Sequence, residues 1–168
     1  SGGNAAIAGG HLVVAAAPGR VTEALDGFFD QCTSCDGASC GRDFGGGYGN
    51  HVVVEHDDGV TIYAHMKTGS VRVAVGDAVA CGQALGEIGS SGCSTGAHLH
   101  FETRPIGGSS AQAYDPFLGM CSDASRSSWV AQGMHRGLPS DECLADCPEG
   151  VGEVWPCTAA GERSRCVL

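Results

Sequence analysis

The strongest constraint on this chain's fold is a pair of β-rich runs joined by a turn. His51-Val-Val-Val-Glu-His56 and Val60-Thr-Ile-Tyr-Ala-His65 flank Asp57-Asp58-Gly59. Gly and Asp accept the positive φ of tight hairpin turns, and β-branched residues pack well on a pleated surface. The pattern predicts an antiparallel hairpin. Alternate side chains of a strand point to one face, so Thr61, Tyr63 and His65 are expected to share a face, with Tyr63 a sheet aromatic. The same rule places His98 and His100 of Gly96-Ala-His98-Leu99-His100-Phe101-Glu102 together in one groove, with Leu99 and Phe101 buried behind them.

The remaining runs extend the β reading. Leu12–Ala17, Pro18-Gly19 and Arg20–Ala24 read as strand, turn, strand. Val71–Val79 reads as a strand, a turn and a strand restart, and Gln83–Ile88 as another short strand. Gly89–Gly96 is a loop of small residues leading into the histidine run. No long amphipathic helix is evident. Glycine is abundant, at 28 of 168 residues, which fits short strands joined by tight turns. The expected class is all-β: an antiparallel sheet core with a histidine-lined groove. Residues 1–118 form the β domain, with a Gly- and Cys-rich insertion at 32–49, and residues 119–168 form a Cys-rich extension.

Charge and cysteine content narrow the setting. The net charge is −10 with no clustered Lys or Arg, which argues against nucleic acid. No apolar run is long enough to span a bilayer. No signal peptide is visible at Ser1, so an exported form would be mature or trimmed. Ten cysteines (Cys32, Cys35, Cys40, Cys81, Cys93, Cys121, Cys143, Cys147, Cys157 and Cys166) point to disulfides and to a secreted, extracellular or periplasmic location. A zinc–thiolate site beginning at Cys32-x-x-Cys35 is the rival reading, although no second pair repeats that spacing. The extension has too few apolar residues for its own core, so cross-links are expected to staple it.

Several motifs, in order, resemble the lysostaphin-type zinc endopeptidases that cut peptidoglycan. These are Gly49-Asn50 through His65-Met66, then Val75-Gly76-Asp77-x-Val79-x-x-Gly82-Gln83-x-Leu85-Gly86, then Ser91-Gly92-x-Ser94-Thr95-Gly96-x-His98-x-His100-Phe101-Glu102, and the exit Tyr114-Asp115-Pro116. The resemblance implies zinc as cofactor and His100 as a ligand. It also implies His98 and His65 as the histidines that activate the zinc-bound water and stabilise the oxyanion. The implied substrate is a cell-wall peptide with Gly or Ala at the scissile bond. Glu102 is expected to orient a neighbour. His11, His51, His56 and His135 have no motif partner and default to surface or hydrogen-bonded histidines; replacement of a missing ligand by His51 or His56 is the alternative.

The chain departs from this pattern at its start. Aligning Val13–Gly19 on the family's strand and turn without a gap puts Asn4 at the zinc-binding Asp, and the first ligand His before Ser1. Asn is neutral and a poor zinc ligand, and it equally suits a turn. The expected function is therefore a secreted, non-catalytic member of this fold that binds wall peptide or a protein partner, or serves as a structural component. The alternative is an active zinc endopeptidase of peptidoglycan peptides.

Overall fold

In the computed structural model the described residues are 10–30, 45–117, 127–129, 143–144 and 165–166. Nine strands are assigned among them: β1 (Leu12–Val14), β2 (Gly19–Leu25), β3 (Asn50–Glu55), β4 (Val60–Met66), β5 (Ala78–Val79), β6 (Ala84–Glu87), β7 (His100–Arg104), β8 (Cys143–Leu144) and β9 (Arg165–Cys166). The expected all-β class holds, and every pairing is antiparallel. The main sheet runs β5-β2-β3-β4-β7; β1 pairs with β6, and β8 with β9. Among the described residues no helix is long and apolar enough to cross a membrane.

The predicted hairpin is β3–β4, with Glu55 opposite Val60 and Val52 opposite Tyr63. The His56 amide donates to the Gly59 carbonyl at 2.8 Å and closes the turn. One face of the sheet carries Val21, Val52, Val54 and Tyr63, which pack with Val13 and Leu85 from the β1–β6 pair. Burying such side chains supplies about 1.5–3 kcal/mol each. Tyr63 is fully buried, and its hydroxyl accepts the Ala16 amide at 2.7 Å. Its ring meets Phe101 of β7 at 5.4 Å.

Two expectations fail here. Val71–Val75 forms no strand, and the restart is confined to Ala78–Val79. Val71 and Val73 still pack on the core, but the chain is held by single bonds, such as the Arg72 amide to the Leu85 carbonyl, rather than by a ladder. The second failure is the shared face of Thr61, Tyr63 and His65. The β3–β4 register slips between Asn50, which faces Met66, and Val52, which faces Tyr63. Ala64 and His65 thus stand opposite the single residue His51. A bulge of this kind re-aims a side chain, and here it turns His65 off the core face.

Asn4, most of the 32–49 insertion and most of the 119–168 extension lie outside the described residues, and so does the stapling expected of the extension. In the β domain, Cys81 and Cys93 are each disulfide-bonded.

Candidate functional site

The bulge at His65 builds the site. His65 has φ 59°, in the left-handed region, and no other described non-glycine residue has a positive φ. That conformation costs an ordinary residue about 1–2 kcal/mol, although His enters it more readily than most. It is locked on both sides: the His65 amide donates to the Tyr48 carbonyl at 2.9 Å, and the His65 carbonyl accepts the Gly89 amide at 3.1 Å. The imidazole lies 4.7 Å from that of His98 and 5.6 Å from that of His100, centroid to centroid. The three histidines singled out in the sequence therefore come together, though by a route that simple alternation does not give. His98 itself stands just before β7, bridged to Gly89, and His100 opens the strand opposite Ala64.

Each ring is oriented by a specific acceptor. His65 Nδ1 lies 2.8 Å from the Ser91 carbonyl, and His98 Nδ1 lies 2.8 Å from the Gly96 carbonyl. A carbonyl only accepts, so Nδ1 carries the proton in the neutral ring and Nε2 is left with a lone pair. His100 is turned the other way: its Nε2 donates to Glu102 Oε2 at 3.1 Å, which leaves Nδ1 bare. Glu102 thus orients its neighbour, as expected.

Electrostatics set the protonation states. Burial lowers the His65 pKa, and the nearby His98, His100 and His51 lower it further, against the opposing Ser91 hydrogen bond. His65 is accordingly biased toward its neutral, proton-accepting form. Burial alone would raise the Glu102 pKa, but hydrogen bonds from Arg104, His100 and Tyr48 outweigh it and bring it to about 2. Glu102 is a carboxylate at any ordinary pH.

Tyr48 and Arg104, which no motif marks, complete the surroundings, and His51 and His56 are hydrogen-bonded histidines. Tyr48 donates its hydroxyl proton to Glu102 Oε2 at 2.8 Å, and Arg104 Nε donates to Glu102 Oε1 at 2.5 Å. His51 is buried, with Nδ1 2.8 Å from the Gly49 carbonyl and Nε2 3.3 Å from Glu23 Oε1. His56 is buried elsewhere, between the Pro18 carbonyl and the Thr61 hydroxyl. A second register slip, between Val21 and Glu23, accompanies the Glu23–His51 contact. No sequence motif announces these partners, because each depends on a bulge or on a loop folding back.

His100 has the chemistry of a metal ligand: a bare Nδ1, with a carboxylate holding the other ring nitrogen. A catalytic zinc takes three protein ligands. Among the described residues no three His, Cys, Asp or Glu are placed to form such a set. They do not make a zinc site by themselves. What the arrangement offers on its own is two adjacent imidazoles with bare Nε2 atoms, able to accept a proton or hydrogen bonds from water or a peptide.

The chain is similar to several known proteins. The DD-carboxypeptidase/endopeptidase Mpg of Neisseria meningitidis serogroup B is 46% identical over 72 residues, which is 42% of this chain and 16% of that protein. The glycyl-glycine endopeptidase ALE-1 of Staphylococcus capitis is 40% identical over 74 residues, 43% of this chain and 20% of that protein. The chain thus spans only a small part of the length of these relatives. The solved catalytic domain of lysostaphin from Staphylococcus simulans aligns with 64% of this chain and 68% of its own, at 30% identity and a TM-score of 0.48. Peptidase family M23 matches residues 1–116, a span that contains the whole main sheet and His65, His98 and His100, and the chain belongs to that family.

Proposed function

We propose that this domain works outside the cytoplasm and binds peptides of the bacterial cell wall on the face formed by His65, His98 and His100. It does not hydrolyse them. The observation that carries the reading is the histidine cluster, with each ring pinned by an acceptor and a bare nitrogen left on each. Bare imidazole nitrogens accept hydrogen bonds from the amides of an extended peptide. The likeness to a glycyl-glycine endopeptidase favours peptides of small residues. The disulfide-bonded Cys81 and Cys93 support an oxidising compartment. Asn4 supports the absence of hydrolysis: at the position the family gives to a zinc-binding Asp, it brings no charge.

A second reading, an active zinc endopeptidase, is favoured by the neighbouring imidazoles of His65 and His98, each held through Nδ1 with Nε2 left bare. One experiment separates the two. Oligoglycine and isolated wall peptides are added to the protein with zinc and with a chelator, while the imidazole NMR signals and the peptide masses are followed. Shifts at His98 and His100 with no new peptide masses are expected. Chelator-sensitive cleavage selects the second reading, and neither shift nor cleavage overturns both.

A further inference from the structure

We propose that Tyr48 is the positioning residue of this site, tying His65 to His100 across two strands. Tyr48 lies between a glycine turn at Gly45–Gly47 and β3. Gly46, Gly47 and Gly49 all have positive φ, at 61°, 98° and 65°. This run folds the chain back so that Tyr48 sits beside both histidines.

Three parts of the residue then act at once. Its carbonyl accepts the His65 amide at 2.9 Å, at the point where the bulge turns that side chain into the site. Its ring meets His100 edge-on at 5.4 Å and His51 at 5.7 Å. Its hydroxyl donates at 2.8 Å to Glu102 Oε2, the same oxygen that accepts from His100. Arg104 donates to the Tyr48 hydroxyl oxygen as well as to Glu102 Oε1. The Glu102 carboxylate is therefore held at both oxygens, and the His100 ring is held by it. A tyrosine that served only to fill space would need its ring, whereas a tie to His100 through Glu102 needs the hydroxyl.

The inference concerns the site of the proposed peptide binding and rests on reading that site as functional. Its test uses no peptide, so failure of peptide binding would leave the result standing. Long-range proton–nitrogen spectra of the imidazoles are recorded on the chelated protein, at one pH above the usual histidine range. In the unaltered protein, His100 is expected as the Nε2-protonated tautomer, with widely separated ring-nitrogen shifts. In Tyr48→Phe that separation shrinks as the ring samples both tautomers, while His56 keeps its shifts. Glu102→Ala produces the same change at His100, and adding Tyr48→Phe to it changes His100 no further, the signature of two residues acting through one path. Unchanged His100 shifts in Tyr48→Phe overturn the proposal. So does a matching shift at His56, which would assign the hydroxyl a role in the fold at large, and so does a further shift of His100 in the double variant.

Discussion

Gly49 and Gly92 approach so closely that a Cβ on either would collide with the other's backbone. Both have positive φ, 65° and 68°. This contact locks the loop before β3 to the loop before His98. It also fixes Ser91, whose carbonyl orients His65 and whose hydroxyl donates to the Met66 carbonyl at 2.6 Å. Gly92→Ala must both clash and adopt an unfavourable φ. It is expected to cost about 2–3 kcal/mol in chemical denaturation. A cost below about 0.5 kcal/mol, the usual range for a neutral surface change, would show that the two loops are not locked.

Stability should fall with acid because of His56. Burial lowers its pKa, and the Pro18 hydrogen bond and the Asp57 charge only partly oppose this. Above about pH 6.5, the ordinary histidine value, the ring is neutral in folded and unfolded chains alike. Below that value the unfolded chain takes up the proton first, so stability drops until the folded ring titrates too. Denaturation midpoints measured from neutral to mildly acid pH should show this slope, and His56→Gln should flatten it. The slope attributable to one residue is limited to about 1.4 kcal/mol per pH unit. Equal slopes in both proteins would remove His56 as the cause.

Much of this architecture was legible in the residues. The hairpin followed from its turn and its β-branched flanks, and the motif around His98 and His100 marked two rings that both meet His65, although His98 stands before β7 rather than on it. His65 was named for the site by resemblance, yet alternation put it on the wrong face. Alternation assumes an unbroken ladder, and the slip opposite His51 leaves no local mark in the sequence. Tyr48 and Arg104 were illegible for a related reason. Their partners lie 54 residues away in the case of Tyr48 to Glu102 and 56 in that of Arg104 to Tyr48. Val71–Val75 misled in the opposite direction, because valines at alternate positions serve a core contact as well as a ladder.

Arg104 should matter through the charge it shields. Glu102 and Arg104 side chains are only 11% and 16% exposed. The Glu102 pKa is held near 2 against a reference of 4.5. The sign follows: the stabilisation is fully present above the reference value and is lost as pH falls through about 2. Arg104→Met leaves that carboxylate half-partnered and is expected to cost about 1–3 kcal/mol at neutral pH. Adding Glu102→Gln should restore part of the loss, since the unpaired charge is the main cost. A double variant less stable than Arg104→Met would contradict this account.

Restoring the carboxylate at residue 4 tests the metal reading directly. Asn4→Asp supplies a charged oxygen where the family resemblance places a zinc ligand. Even an outer-shell partner changes metal affinity about 10–100-fold, so a direct ligand should raise zinc affinity by more than about tenfold in competition with a chelator. His100→Ala in the same background should abolish the gain. Equal zinc affinity before and after Asn4→Asp would mean that residue 4 does not face the metal position.

Trp129 extends the core past the end of the family match at residue 116. Its ring lies 5.6 Å from Phe101 and 5.2 Å from Phe117, and it is 7% exposed. The Ser128 amide, donating to the Pro116 carbonyl at 2.8 Å, holds the segment in place. Trp129→Ala would open a cavity behind Phe101, on the reverse side of the strand that carries His100, and is expected to cost about 3–5 kcal/mol. The indole Nε1 has no hydrogen-bond partner among the described residues, and an unpaired buried donor costs about 1–3 kcal/mol. Trp129→Phe discards that donor along with some area, so the two effects oppose and the net change should stay within about 1 kcal/mol. Thermal unfolding of the two variants checks the argument. If Phe costs as much as Ala, the indole nitrogen is engaged after all, and the ring's packing is not what anchors the segment.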